Sequence, residues 1–221
     1  LVGGLNTITW TGTGPNPTLH RMITAPGGRD FFGNFPELCP NGSGFTAKIG
    51  NETASVTGGI GKEASGISYT YTIPASTTTF SVLFNYAIVL ENPGHLPEEQ
   101  PRFRARIRDL STGNTIPCVT FDFTASGGLP GFLPSLVNPN VIYKGWTPVT
   151  LNLSGLAGRT IEIEFIVSEC TRNGHFAYAY VDVNSNCNGA ITGAYICPGN
   201  PGITLTAPFG FQNYTWYSDN T

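Results

Sequence analysis

The feature that most constrains the fold of this chain is a two-residue alternation of apolar and polar side chains, broken at short intervals by glycine, proline and asparagine. In residues 67–73 (ISYTYTI), isoleucine and tyrosine fall on one face of an extended chain, and serine and threonine fall on the other. Such alternation predicts half-buried β-strands, and the interruptions predict turns. Seven runs qualify as strands: 67–73, 78–90, 102–110, 116–123, 146–153, 161–167 and 175–183.

No helical period of useful length appears in the sequence. Seven or more short strands in a chain of 221 residues predict an all-β fold, most economically a two-sheet antiparallel β-sandwich, or jelly roll. Residues 78–90 (TTFSVLFNYAIVL) are apolar on both faces. They therefore predict a central strand that is covered by the core on one side and by a loop, a neighbouring domain or a ligand on the other.

The composition changes once, after the asparagine-rich stretch 184–188. Residues 1–188 are predicted to form the jelly-roll β-sandwich domain. Residues 189–221 begin a new pattern with a Cys-Pro-Gly start, an alternating strand and an aromatic strand. This segment resembles the opening strands of an Ig-like or PKD-like module, and two strands are too few to bury a core. We therefore expect a truncated second module or a tail that packs on the first domain.

Charge, hydropathy and cysteine spacing argue against nucleic acid as a partner, against a membrane span and against a CxxC zinc site. Only 11% of the residues are charged, the net charge is −3 and the pI is about 5.5, so no basic surface is expected to attract nucleic acid. No apolar stretch is long enough to span a membrane. The five cysteines lie too far apart for a CxxC zinc pattern, which leaves disulfides or buried thiols, and their odd number leaves one without a partner in this chain.

The motifs of hydrolases are absent from the sequence: there is no GxSxG elbow, no HExxH and no recognisable pair of glycosidase carboxylates. We therefore predict that the protein is not an enzyme, and a hydrolase is the least favoured hypothesis.

One predicted loop, residues 92–103, carries His95, Glu98 and Gln100, and His175 lies in another. Two histidines near carboxylates could bind a transition metal, and polar groups near aromatic rings could bind a sugar. The alternative is structural: each imidazole would hydrogen-bond a carboxylate or a backbone carbonyl and so fix a long loop.

Arg102, Arg104, Arg106 and Arg108 occupy one face of a single predicted strand, where like charges about 7 Å apart repel. Something must neutralise them. The strand at residues 161–167 carries Glu162 and Glu164 and would form an internal ladder of opposite charges. The alternative is a bound polysaccharide, including an acidic one.

Five spaced motifs connect the first domain to a known family: residues 45–51 (FTAKIGN), 67–71 (ISYTY), 84–90 (FNYAIVL), 92–95 with 100–103 (NPGH and QPRF), and 174–182 (GHFAYAYVD). In this order they resemble a jelly-roll module of very large secreted surface proteins of the Bacteroidota, including gliding-motility adhesins exported by type IX secretion. The resemblance implies a non-catalytic, extracellular module of a cell-surface adhesin that takes part in surface display and attachment. Its partners would be neighbouring β modules of the same long chain. The alternative function is a carbohydrate-binding module that recognises a polysaccharide through its arginine-bearing face.

Jelly-roll domains of carbohydrate-binding type often carry a structural calcium ion, which implies a site at Asp182 with Asn51 and Glu52 opposite it. The alternative is that Asp182 accepts a tyrosine hydroxyl, since Tyr178 and Tyr180 share its face.

In the resembling family, the positions of Cys118 and Cys170 read as paired cysteines, which implies a disulfide in an oxidising compartment. Cys39 with Cys187 is a weaker second pairing.

Overall fold

The computed structural model of the chain describes residues 15–52, 63–76, 80–116, 120–153, 155–172 and 174–184. These residues form strands joined by turns, with a 3-10 turn at Pro97–Glu99. The strands are β1 His20–Thr24, β2 Phe45–Asn51, β3 Ala64–Thr72, β4 Ser81–Glu91, β5 Arg102–Asp109, β6 Asn114–Thr115, β7 Phe121–Thr124, β8 Leu133–Pro134, β9 Val141–Asn152, β10 Thr160–Ser168 and β11 Ala177–Asn184.

Two antiparallel sheets pack face to face. The first has the strand order β1-β2-β11-β4-β9-β8, and the second has the order β3-β10-β5-β6, with β7 also paired to β5. From β2 to β5 and from β9 to β11, successive strands alternate between the two sheets, which is the wrapping expected of a jelly roll. The predicted all-β, two-sheet sandwich is confirmed.

The core lies between the sheets and is made by the inward-facing alternate residues of the long strands. Ile161, Ile163 and Phe165 of β10 are at most 1% exposed, and they face Phe84 and Ile88 of β4 across the sandwich in one continuous cluster. Burial of such side chains contributes roughly 1.5–3 kcal/mol each, so this cluster is the main source of stability.

A second apolar cluster covers the outer face of the first sheet. It contains Ala87 and Val89 of β4 and Tyr178 and Tyr180 of β11, and residues 24–40 fold over it. Phe35 of this covering segment contacts the Tyr180 ring edge-on at 5.5 Å between centroids. The prediction that residues 78–90 form a central strand covered on both faces is therefore confirmed, and the outer cover is a loop.

The structure corrects some strand predictions and leaves others untested. Residues 116–123 do not pair as one regular strand, because β6 and β7 both pair antiparallel with β5 but in different registers, with Thr115 opposite Arg108 and Phe121 opposite Ala105. Residues 117–119 lie outside the described part of the chain. Strands β1, β2 and β8 were not among the seven predicted runs. Cys118, Cys187 and residues 189–221 lie outside the described residues, so both proposed disulfides and the second module stay predictions.

The described part of the chain has no helix with the length and hydrophobicity needed to cross a bilayer.

Candidate functional site

The arginine-bearing face is an internal ladder of opposite charges. β5 and β10 pair antiparallel in a register that sets Arg106 opposite Glu164 and Arg108 opposite Glu162. Each pair forms an ion pair, and Arg108 Nε lies 2.9 Å from Glu162 Oε2. The hydrogen bond to Glu162 raises the pKa of Arg108, although partial burial opposes this. The predicted pairing of the arginine strand with the glutamate strand is confirmed.

Asp122 of β7 neutralises the other end of the arginine row. Arg102 holds this carboxylate with two nitrogens, and Arg104 Nε lies 3.2 Å from its Oδ2. Arg102 is only 7% exposed, so its guanidinium is committed to the fold. Sequence reasoning missed Asp122 because the strand that carries it was predicted as part of a longer run without a partner.

A cleft opens where the edges of the two sheets meet, and we call it the edge cleft. It encloses about 660 Å³ between β1 and β2 on one side and β3, β10 and β5 on the other. Its lining includes Arg21, Lys48, Arg108, Glu162, Glu164 and the apolar side chain of Met22.

Exposed apolar and aromatic side chains extend the edge cleft. A neighbouring space of about 360 Å³ shares Met22 and Ile67 with it and adds Phe45 and Tyr69. These side chains are 61%, 38%, 59% and 41% exposed, respectively, although Ile67 and Tyr69 belong to the face of β3 that points toward the core. The sandwich is therefore open at this edge, and it presents an apolar strip beside charged groups.

Most charges in the edge cleft have partners nearby. Arg21 pairs with Glu37 at 3.0 Å and Lys48 pairs with Glu52 at 2.7 Å. Burial alone would raise the pKa of Glu52, but the hydrogen bond and the charge of Lys48 outweigh this effect and lower it. The Lys48 ammonium also lies 4.1 Å from the centre of the Tyr178 ring. The cleft thus offers oriented donors and acceptors with little net charge.

The two candidate histidines meet in a second place, at one end of the sandwich. His95 lies in the loop between β4 and β5, and His175 lies in the turn between β10 and β11. Their rings are 5.0 Å apart and nearly perpendicular. Cys170 joins them, with Sγ 3.1 Å from His175 Nδ1. Burial lowers the pKa of His175, the charge of Glu91 opposes this, and the charge of His95 adds to it.

Among the described residues, neither imidazole hydrogen-bonds a carboxylate or a backbone carbonyl, as the structural alternative required. Gln100 fixes the loop instead, because its Nε2 donates to Asn92 Oδ1 at 3.0 Å and to the His95 carbonyl at 3.2 Å. An ion pair between Glu99 and Arg172 joins the loop to the neighbouring turn at 2.7 Å. Glu98 is exposed.

The predicted calcium ligands are not brought together. Asn51 pairs with Ala177 at the start of β11, whereas Asp182 lies five residues further along the same strand, about 17 Å away at the usual rise per residue. The Glu52 carboxylate binds Lys48. Asp182, Asn51 and Glu52 were therefore wrong as a single site, because the register of β2 against β11 separates them.

Asp182 also does not accept a tyrosine hydroxyl. Its Oδ2 accepts the hydroxyl of Ser43, and the hydroxyls of Tyr178 and Tyr180 donate to Asp30. Asp30 comes from the segment that covers the first sheet, and no sequence motif marked it as their partner.

Comparisons with known proteins give only weak structural similarities. No protein-family model matches the chain, and no curated protein matches it. Among solved structures, a similar one is TmCBM61 in complex with beta-1,4-galactotriose, with a TM-score of 0.30 and 10% identity over 65% of this chain and 74% of the other. The enzymatically active domain of bacteriophage CBA120 tailspike protein 4 has a TM-score of 0.28 and 14% identity over 76% of this chain and 20% of the other. The EclA C-terminal domain, a sugar-binding protein, has a TM-score of 0.26 and 10% identity over 61% and 90%. Similarities this weak support no transfer of function.

Proposed function

We propose that this protein is a non-catalytic carbohydrate-binding module that holds a segment of a largely uncharged glycan in the edge cleft. One observation carries the proposal: a cleft of about 660 Å³ in which the Arg108–Glu162 pair lies beside exposed apolar side chains. Ligand sites of this size, mostly apolar with a few placed polar groups, are typical of small-molecule and cofactor binding.

The Arg108–Glu162 pair suits sugar hydroxyls because each side chain holds the other in place and still has one polar atom available for a ligand. Both contacts from Arg108, through Nε and Nη2, go to Glu162 Oε2. Within the described residues, Arg108 Nη1 makes no hydrogen bond and Glu162 Oε1 accepts none. A hydroxyl group can accept from the first and donate to the second, and both hydrogen bonds would be charge-assisted.

The exposed aromatic side chains of the adjoining space suit the apolar face of a neighbouring sugar unit of the same glycan. Tyr69 is 41% exposed and stacks on Tyr71 at 6.4 Å between centroids, which limits its motion. An amphipathic ring fixed at the edge of a cleft gives contact area with little loss of conformational entropy. Phe45 adds a second exposed ring in the adjoining space.

The charge balance argues against a strongly acidic glycan. Arg21 and Lys48 are already paired with carboxylates, and Glu162 and Glu164 also line the cleft. The same holds for the rest of the arginine row, whose members contact Asp122, Glu164 or Glu162. An acidic chain would therefore have to displace existing ion pairs.

The extracellular, cell-surface setting predicted from the sequence belongs to this proposal. A module that binds glycan would serve attachment within a long surface protein, with neighbouring β modules as partners in the same chain.

Binding to a glycan array, followed by titration calorimetry on the best ligand, tests the proposal. We expect Tyr69→Ala and Arg108→Ala each to weaken binding at least tenfold, or about 1.4 kcal/mol. Phe31→Ala is the matched aromatic control, since Phe31 is 70% exposed and does not line the edge cleft, and it should bind normally.

Three results would overturn the proposal. The first is failure of the chain to bind any glycan, and the second is an equal loss in Phe31→Ala. The third is release of shorter sugars from the bound glycan, because cleavage would identify an enzyme. Loss on Arg104→Ala with normal binding by Arg108→Ala would move the ligand to the arginine row and out of the edge cleft.

A further inference from the structure

Three metal-ligating side chains converge at the end of the sandwich where the β4–β5 loop meets the β10–β11 turn. One ligand atom each from His95, Cys170 and His175 lies within 4.8 Å of the other two. None of these residues lines the edge cleft. The cluster is therefore not explained by the proposed function.

The fold holds this cluster in place from both sides. The Cys170 amide donates to the His175 carbonyl at 3.3 Å, so the turn between β10 and β11 brings these two residues together. Gln100 is 4% exposed and donates to the His95 carbonyl, which fixes the third residue from the opposite loop. Ligands on separate, fixed elements limit the rearrangement that a bound ion would require.

Two buried polar atoms of the same loop lack hydrogen-bond partners in the described part of the chain. They are His95 Nδ1 and Gln100 Oε1. A buried polar atom without a partner costs roughly 1–3 kcal/mol, so native proteins rarely leave two of them together. A bound ion that uses the imidazole nitrogen would remove the first of these costs.

We propose that His95, Cys170 and His175 bind a zinc-class divalent ion and leave a fourth position open to an outside ligand. Two imidazoles and a thiolate form a donor set that suits zinc, whereas calcium and magnesium prefer oxygen. Three protein ligands with an open position is the arrangement of zinc sites that exchange ligands. The ion would replace the proton between Cys170 Sγ and His175 Nδ1, which is released to solvent on binding.

The distances require only a small adjustment. Metal–ligand distances of about 2.0–2.3 Å place the ligand atoms of a tetrahedral zinc ion about 3.2–3.8 Å apart. The three ligand atoms lie within 4.8 Å of one another, and Cys170 Sγ and His175 Nδ1 are already 3.1 Å apart. A rotation of one imidazole that moves its nitrogen by about an ångström would bring all three ligand atoms within these distances.

Titration of the metal-free, reduced chain with Co²⁺ tests the proposal, because cobalt reports both its geometry and its sulfur ligand by absorption. We expect one equivalent to bind, with tetrahedral visible bands and a sulfur-to-cobalt charge-transfer band, and Zn²⁺ to displace it. His95→Gln and His175→Gln should each weaken binding at least tenfold. Cys170→Ser should abolish the charge-transfer band. His20→Gln is the matched control and should bind normally, since His20 contacts the Gly66 carbonyl and is not in the cluster.

A second readout separates loss of binding from loss of folding. Zn²⁺ should raise the melting temperature of the wild-type chain and of His20→Gln, but not that of the cluster variants, because only a native-state ligand stabilises by mass action. No stoichiometric cobalt binding, or an equal loss in His20→Gln, would overturn the proposal. So would peptide mapping that finds Cys170 joined to Cys118 in protein purified without reductant, because the predicted disulfide would use the same sulfur.

Discussion

Replacement of the buried Asp30 should be one of the most destabilising single substitutions in the sandwich. Asp30 is 3% exposed, and its two carboxylate oxygens accept hydrogen bonds from different partners. Oδ2 accepts the hydroxyls of Tyr178 at 2.7 Å and Tyr180 at 3.0 Å, and Oδ1 accepts the amides of Phe32 and Gly33. This one side chain therefore joins the covering segment to the outer face of β11.

The size of the expected destabilisation follows from the buried polar groups that Asp30→Ala leaves without a hydrogen-bond partner. The buried Tyr178 hydroxyl loses its acceptor, whereas the Tyr180 hydroxyl can still donate to Glu37 Oε1, 3.4 Å away. A buried polar group left unsatisfied costs roughly 1–3 kcal/mol. The expected loss in the free energy of unfolding is thus about 1–3 kcal/mol from Tyr178, with a smaller addition from Tyr180, which is a large fraction of the roughly 5–15 kcal/mol that is typical of a domain. Asp182→Ala is the matched control. Asp182 is a partly exposed carboxylate on β11, the strand that carries Tyr178 and Tyr180, and it accepts the Ser43 hydroxyl. Its replacement should lower the free energy of unfolding by less than about 1 kcal/mol.

Urea unfolding of a mutant cycle is the assay. In the wild-type background, replacing Tyr178 and Tyr180 by phenylalanine removes two hydrogen bonds to a buried charge and should destabilise. In the Asp30→Ala background, Tyr178→Phe removes a stranded hydroxyl and Tyr180→Phe removes only the 3.4 Å contact with Glu37, so the two replacements together should be neutral or stabilising. Equal costs in both backgrounds, or a loss below 1 kcal/mol for Asp30→Ala, would refute the reasoning.

Three further predictions concern the charge ladder, a glycine and alkaline pH. Glu164→Gln should destabilise by about 1–3 kcal/mol and Glu162→Gln by about 0.2–1 kcal/mol, because their side chains are 6% and 16% exposed; equal losses in urea unfolding would contradict this. Gly50→Ala should cost well over the roughly 1 kcal/mol of Gly113→Ala in the same assay, because both have φ near +75° but only at Gly50 would a Cβ lie 2.2 Å from the Ala177 carbonyl oxygen. The pKa values of the tyrosines that donate to Asp30 are raised, first by burial and then by its charge, whereas unfolded tyrosines ionise near pH 10. Their stabilising contribution should therefore be complete below about pH 10 and fall as the pH rises further, and unfolding curves of the double phenylalanine variant should show a weaker decline.

Alternation of side chains carried most of the fold prediction. A period of two gives the same face assignment in any antiparallel sheet, so residues 161–167 and 102–110 could be recognised as strands from local pattern alone. Opposite charges on those two runs also predicted their pairing, and the register of Arg108 with Glu162 agrees with it. β1 and the division of residues 116–123 escaped this reasoning, because these short segments are defined by their pairing with β2 and β5.

The sites followed the same division. The sequence identified His95 and His175 as candidates because histidine in a turn-rich segment is a chemical signal in itself. Cys170 was assigned to a disulfide, although its five-residue spacing from His175 across a tight turn was a signal that they could meet. The predicted calcium set failed for a different reason, since it was inferred from the jelly-roll type and the register between β2 and β11 separates its residues.

The sequence by itself determined most of the long strands, their buried faces and the pairing of the arginine strand with the glutamate strand, because these depend on local periodicity and on the charges of neighbouring runs. Only the tertiary structure decided that Asp30 accepts the hydroxyls of Tyr178 and Tyr180, 148 and 150 residues away, and that the sandwich stays open beside Tyr69. Both depend on how the covering segment and the sheet edges are placed in space. That placement is set by long-range packing and strand register, which no local pattern encodes.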